Sequence, residues 1–299
     1  MPDKGRGFFK KLRHRIEYYL LLTVLHWSEG GGWQKILTRA EVIGTLLYLI
    51  LGLRRRIAID NIRRALGYSL PRCRRLARES FKSIVITVLE MAQMGSVNPR
   101  WIGERLTFSQ TEPFAEIARM RRGGLLITAH FGNWELIGAL VGRKGLGYPL
   151  SVIVQEQSNP LVEELMFKLR EAYGFEVIPL GRAGQETVRR LRRGEMVALL
   201  ADQSAGEEGI LHPFFGRPAS TYLGPALIAS RLGTPIIFGF CVRNRNGTYT
   251  AHIESPILLS EDRDKAVEQY LCIYTRLIEE HVRRYPEQYL WLHRRWKRK

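Results

Sequence analysis

Leu125-Leu126-Ile127-Thr128-Ala129-His130-Phe131-Gly132-Asn133-Trp134-Glu135 is the stretch from which the fold is read. Leu125 to Ala129 is an apolar run of strand character. Gly132 and Asn133 are turn and N-cap residue types, and Trp134 to Leu140 reads as a helix that begins there. A buried strand that runs straight into a helix is the repeating unit of an α/β sheet. It puts His130 at the carboxyl end of the strand, at the mouth of the sheet. On one straight helix, residues five apart would point about 140° away from each other. A strand-to-helix corner instead lets Glu135 turn back toward the imidazole. A neutral histidine held by a carboxylate is equipped to act as a general base on a hydroxyl.

The same texture extends outward from about residue 122. Strands are predicted at 125–129, 150–154, 175–179, 196–201, 235–242 and 249–254, with helices at 134–142, 160–173, 183–193, 221–232 and 262–284. This alternation predicts an α/β fold with a mostly parallel central sheet flanked by helices. Ligands in such sheets lie beyond the carboxyl ends of the strands. Polar residues stand there three times: His130, then Gln155-Glu156-Gln157, then Asp202-Gln203 after the apolar run Met196 to Ala201. That repetition marks one site. Gly206 and Gly209 suggest a mobile loop ahead of Leu211 to Ser220.

The first hundred residues read as helical. Phe8 to Arg15 is basic, Ile16 to Trp27 is apolar, and Gly30-Gly31-Gly32 breaks the run. A second apolar run, Val42 to Leu53, ends in Arg54-Arg55-Arg56. Each run is about 12 residues, short of the ~20 needed to cross a bilayer. They read as a monotopic hairpin or amphipathic surface, with a single spanning helix from Ile16 as the other possibility. Ile57 to Leu66 and Pro71 to Met94 are further helices. The expected organisation is a membrane-associating segment over 1–56 and an α/β domain over 57–299, helical to 121 and sheet-and-helix from 122.

The formal net charge is +17, and it is unevenly placed. Residues 1–100 carry 19 Lys/Arg against 7 Asp/Glu, and residues 281–299 carry 7 against 1, whereas the central 180 carry 20 against 21. A basic envelope around a neutral body calls for an anionic membrane surface or nucleic acid. Arginines here alternate with long aliphatic runs, not stacking aromatics, and no nucleic-acid module is present, so nucleic acid is not an expected partner. Cys73, Cys241 and Cys272 are scattered, which argues against a disulfide framework and structural zinc. No signal-peptide cleavage site follows the first apolar run. No P-loop, dinucleotide fingerprint or Gly-x-Ser-x-Gly elbow occurs, and no metal or cofactor is expected. A non-catalytic lipid-binding or assembly protein on the same fold stays open as an alternative.

In order along the chain, these segments resemble the lipid A biosynthesis acyltransferases within the lysophospholipid acyltransferase superfamily. The resemblance rests on Arg54-Arg55-Arg56 with Asn61, on Ala129 to Glu135, and on Asn159-Pro160. It continues through Ala201-Asp202-Gln203 and Pro213 to Ala219, and ends with Trp291-Leu292-His293-Arg294-Arg295-Trp296. It implies a monotopic or singly anchored enzyme on the cytoplasmic face of the inner membrane. Such an enzyme moves a fatty acyl group from acyl carrier protein or coenzyme A to a hydroxyl of a glycolipid such as a lipid A precursor, without an acyl-enzyme. His130 would take the hydroxyl proton, Glu135 would orient the imidazole, and Asp202 matches the family's later acid. Arg170 matches its arginine, and Asn133, Gln203 and Arg217 complete the expected substrate-binding set. The acyl groove is expected against the N-terminal helices, the Val85 to Leu89 run above all.

Overall fold

The two-residue alternation of side chains explains why Leu125 to Thr128 can be continuously buried. Leu125 and Ile127 pack into one core with Val197, Phe238 and Phe240, whereas Leu126 packs into a second core with Met196, Ala198 and Ile237. A sheet covered on both faces has no solvent side, so its strands need no polar alternation. The computed structural model describes residues 4–28, 32–93, 99–142 and 146–297.

In chain order, helices α1 (Lys4–Ser28), α2 (Trp33–Ile50), α3 (Gly52–Leu66), α4 (Leu70–Gln93) and α5 (Pro99–Arg105) come first. Strand β1 (Leu106–Phe108) and α6 (Glu112–Met120) precede β2 (Gly124–Thr128), α7 (Trp134–Val141), β3 (Leu150–Val154), α8 (Pro160–Ala172) and β4 (Glu176–Pro179). Then follow α9 (Ala183–Arg192), β5 (Met196–Leu200), β6 (Ile210–Phe214), β7 (Arg217–Thr221), α10 (Gly224–Leu232), β8 (Ile236–Arg243), β9 (Tyr249–Ile253) and α11 (Arg263–Arg284).

The seven-stranded sheet has the order β1-β9-β8-β2-β5-β3-β4. The five strands from β8 to β4 are parallel; β9 turns back against β8, and β1 runs with β9. The expected mostly parallel α/β sheet is therefore observed. It starts earlier than residue 122, because β1 belongs to it; three residues are too few to show a strand period. The chain carrying Gly206 and Gly209 has no regular structure up to residue 209, and the stretch after it forms a hairpin the sequence pattern does not announce, β6 pairing with β7 from Ile210. Phe215 (φ 50°) and Gly216 (φ 69°) form its two-residue connection. Positive φ at both central positions is the type I′ pattern, which matches the strand twist. The Phe215 N–H is held by the Glu279 carboxylate at 2.5 Å.

The glycine break expected at Gly30-Gly31-Gly32 falls between α1 and α2; residues 29–31 lie outside the described residues, as does Met94 after α4. The second apolar run bends at Leu51, with 96° between α2 and α3. Among the described residues no single helix is long and apolar enough to cross a membrane, although that bent pair passes the test together. Phe8, Phe9, Leu12, Ile16, Tyr19, Leu20 and Trp27 of α1 are exposed, as are Val42, Leu46, Leu49 and Ile50 of α2. Their spacing is that of helical faces, while His14 and Leu25 face the body. The α1 helix is tied to the start of α8 by Asn159, whose Nδ2 donates to the His14 carbonyl and the Glu17 carboxylate, each at 2.9 Å.

Candidate active site

Strand register builds the site. Thr128 of β2 stands beside Leu200 of β5, and the Ala201 N–H donates to the Thr128 carbonyl, extending the ladder. Two residues beyond the pair lie His130 and Asp202, which therefore leave adjacent parallel strands side by side. Nδ1 of His130 is 2.8 Å from Oδ1 of Asp202. A carboxylate there fixes the proton on Nδ1 and leaves the Nε2 lone pair free to accept. Asp202 is 3% exposed. Burial pushes its carboxyl up, but the His130 imidazole, the His130 backbone amide and the Arg295 charge outweigh it, and the carboxyl sits below its ordinary value.

The expectation that Glu135 holds the imidazole is not met. The Gly132–Asn133 corner does bring Glu135 to the same cavity as His130, but Arg170 takes both carboxylate oxygens. Nε donates to Oε2 at 3.1 Å and Nη2 to Oε1 at 2.7 Å. A bidentate guanidinium outcompetes a neutral imidazole for a carboxylate. Burial alone would lower the Arg170 value; the Glu135 charge and hydrogen bonds raise it, so the guanidinium stays charged. Its third nitrogen, Nη1, takes no hydrogen bond among the described residues.

Both the His130 side and the Arg170 side face one cavity of ≈ 220 Å³ on the α7/α8 face of the sheet. Its apolar wall comes from Ile137, Val152, Val154, Phe175, Ala198 and Leu200; its polar groups include His130, Glu135, Arg170, Gln203 and Tyr222. Nε2 of Gln203 lies 3.3 Å from Nε2 of His130. Trp134 tilts over the imidazole with ring centroids 5.4 Å apart. Tyr222 was not anticipated; burial raises its phenol, helped by Glu208, so the hydroxyl remains a neutral donor. The Val85 to Leu89 run does not line this cavity. Val85 and Leu89 are buried against Ile36 and Ala40 instead, and the sheet's own face supplies the apolar wall.

Two expected substrate-binding residues lie elsewhere. Asn133 is 1% exposed and fully committed: Oδ1 accepts from the Leu136 N–H at 2.9 Å, and Nδ2 donates to Glu90 at 2.8 Å. It caps α7 and ties the corner to α4. Arg217 is exposed on the hairpin beside Gly216 and does not reach the cavity.

Beneath the corner, Arg243 donates to Glu90 (Nε to Oε1 3.1 Å, Nη2 to Oε2 2.8 Å), to Ser83 at 3.2 Å and to Thr87 at 2.8 Å. Tyr249 donates to the same carboxylate. Thr87 also donates to the Gly132 carbonyl. Gly132 has φ 57°, and a Cβ there would meet the Cys241 carbonyl at 1.9 Å. The corner can be made only with glycine.

The carboxyl-terminal segment forms the back of the site. The Leu290 N–H donates to the His130 carbonyl at 3.0 Å, and the Gly132 N–H to the Gln288 carbonyl at 2.9 Å. Asn61 donates to the carbonyls of Trp291 and His293, and Ser80 to that of Tyr289. His293 Nε2 accepts from the Ser204 N–H at 3.2 Å. Burial, more than the opposing charge of Asp202, pushes its imidazole down to about 4, so it stays neutral and accepting. Buried Arg295 donates to the Ser220 carbonyl and to Thr221. The sequence offers the Trp291 to Trp296 motif but no sign that its partners are side chains of α3 and α4 and backbone groups beyond the strand ends.

The model of the bacterial lipid A biosynthesis acyltransferase family matches residues 6–298. The chain is 24% identical over 259 residues to a lipid A biosynthesis palmitoleoyltransferase of Escherichia coli (strain K12), covering 85% of this chain and 82% of that protein. It is 25% identical over 231 residues to a lipid A biosynthesis lauroyltransferase of the same organism, covering 75% and 72%. A shorter match, 29% identical over 124 residues, is to a phosphatidylinositol mannoside acyltransferase of Mycobacterium tuberculosis (strain ATCC 25618 / H37Rv); it covers 40% of this chain and only 38% of that protein's length.

Proposed function

Since this chain belongs to the bacterial lipid A biosynthesis acyltransferase family, we propose that it is an O-acyltransferase that esterifies a hydroxyl of a membrane glycolipid with a fatty acyl group from a thioester. The single observation that carries this reading is the His130–Asp202 pair at the mouth of a half-apolar cavity. With its proton fixed on Nδ1, His130 takes the acceptor's hydroxyl proton at Nε2. The oxygen attacks the thioester carbonyl, the tetrahedral intermediate collapses, and the departing thiolate recovers the proton from the imidazolium. Asp202 stabilises that imidazolium without being protonated itself, the division of labour known for histidine–aspartate pairs. Arg170, pinned by Glu135, holds a fixed positive charge on the cavity wall, where negative charge develops on the acyl oxygen.

The cavity is smaller than the ~300–1,000 Å³ usual for drug-sized ligands. It receives the reacting carbonyl and the first part of the acyl chain, while the carrier and glycolipid approach from outside. The donor is acyl carrier protein or coenzyme A, and the acceptor is a lipid A precursor. The short match to a phosphatidylinositol mannoside acyltransferase supports a second reading of the acceptor, a phosphoinositol glycolipid of the same site. The exposed apolar faces of α1 and α2, flanked by Lys10, Lys11, Arg13 and Arg15, support attachment to the cytoplasmic face of the inner membrane without a full span.

Purified protein in mixed micelles, given acyl-coenzyme A or acyl carrier protein thioester and lipid A precursor, should release thiol in step with ester formation. His130→Ala should lower turnover by ~10²–10⁴-fold while the protein remains folded. Near-wild-type turnover by His130→Ala would overturn the assignment of the base.

A further inference from the structure

The position of Gln203 has a consequence for the order of events at the base. Because His130 Nδ1 is committed to Asp202, the Nε2 lone pair is the catalytic group, and the amide nitrogen of Gln203 sits 3.3 Å from it. A carbonyl oxygen at that place would oppose two acceptors, so the amide must present its N–H. The lone pair of the base is therefore covered by the Gln203 amide. Gln203 is half-buried, lines the cavity, and follows Asp202 directly in the turn that the Ser204 N–H to His293 bond steadies.

We propose, resting on the acyl-transfer reading above, that Gln203 is a catalytic residue with two successive partners. Before substrate arrives its amide N–H donates to His130 Nε2. The acceptor hydroxyl displaces it there and donates its own proton to Nε2. The freed amide, one hydrogen-bond length from the reacting oxygen, then donates to the carbonyl oxygen as it becomes an oxyanion. No atom is gained or lost by Gln203. The C–O bond forms as the hydroxyl proton moves to Nε2, the C–S bond breaks, and the thiolate leaves as thiol with that proton. The exchange keeps the base covered until a hydroxyl with the right placement competes for it, which disfavours transfer to stray water.

The test pairs two readouts that should move in opposite directions. In Gln203→Met, which keeps bulk and loses the donor, kcat should fall ~10²–10³-fold, the scale for one oxyanion donor, with little change in KM for the thioester. In the same variant without substrate, modification of His130 by diethyl pyrocarbonate, read by peptide mass spectrometry, should become several-fold faster while that of His293 is unchanged. Gln203→Asn, with its donor withdrawn by one methylene, should behave likewise and serves if the methionine variant fails to fold. Wild-type turnover in both variants, or a fall in turnover without faster His130 modification, overturns the proposal. Faster modification at His293 as well would reduce Gln203 to a packing role. If His130→Ala itself keeps full turnover, the base assignment fails, and this proposal with it; a dead His130→Ala beside a fully active Gln203→Met separates the two.

Discussion

Two arginine–glutamate pairs flank the same corner of the chain, and they serve different ends. Arg243 and Glu90 lie beneath it with side chains 6% and 7% exposed, and every neighbour is a partner: Ser83, Thr87, Asn133 and Tyr249 saturate the pair. Arg170 and Glu135 lie above it at 15% and 8%, grip each other through two bonds, and open onto the cavity. Burial differs little between them; what differs is whether hydrogen-bonding capacity is left over. A saturated pair holds a backbone turn in place, and an unsaturated one facing a cavity is available to substrate. Asn133 and Glu135 are two residues apart in sequence, yet one is directed into each pair.

The sharpest way to break this contrast is to remove one arginine at a time. Arg243→Met strands a buried carboxylate and should destabilise the protein by about 3–5 kcal/mol, lowering the melting temperature on the order of 10 °C. Equal stability in that variant would erase the distinction. Replacing Asp202 by Asn keeps the shape but loses the charge that fixes the imidazole proton. Turnover should fall ~10³–10⁴-fold, and by much more than in Glu135→Gln. The reverse order in a side-by-side assay would restore Glu135 as the partner of His130. Arg170→Met should lower turnover ~10²-fold but cost only about 1–3 kcal/mol of stability, because Glu135 then meets cavity water.

The smallest effect concerns pH. His293 titrates at about 4 in the folded chain, below its ordinary value of 6.5. The unfolded chain therefore binds more protons between these values, so the stability His293 contributes is present above about pH 6.5 and is lost as pH falls toward 4. Asp202, also lowered, adds a loss only at still lower pH. His293→Gln, which can still accept from Ser204, should flatten the decline of melting temperature between pH 6.5 and 4. An unchanged slope would show that the buried imidazole is not its source.

Much of this arrangement is legible in the sequence. The strand–turn–helix at 125–140, the parallel sheet, and polar residues at three strand ends all follow from local pattern. The pairing of His130 with Asp202 does not. They are 72 residues apart, and β5 inserts beside β2 only after β3 and β4 have been laid down farther out. Strand order is not a local property. Asn133 was readable as a cap but not as a partner of Glu90, 43 residues away. The Phe215-Gly216 hairpin carries no Asn-Gly signal, because its strained phenylalanine is stabilised from α11 by Glu279. The sequence points to Val85–Leu89 as the cavity wall, wrongly, because an apolar helical run reads the same whether it lines a groove or a core.

The central claim is that the His130–Asp202 pair drives ester formation on a membrane glycolipid. Its most direct test is mass spectrometry of the glycolipids of cells that carry the protein, lack it, or carry only His130→Ala at equal abundance. One glycolipid should be heavier by one esterified fatty acyl group in the first cells, and lighter by that group in both of the others. Identical glycolipids in all three, or restoration of the heavier species by His130→Ala, would contradict it.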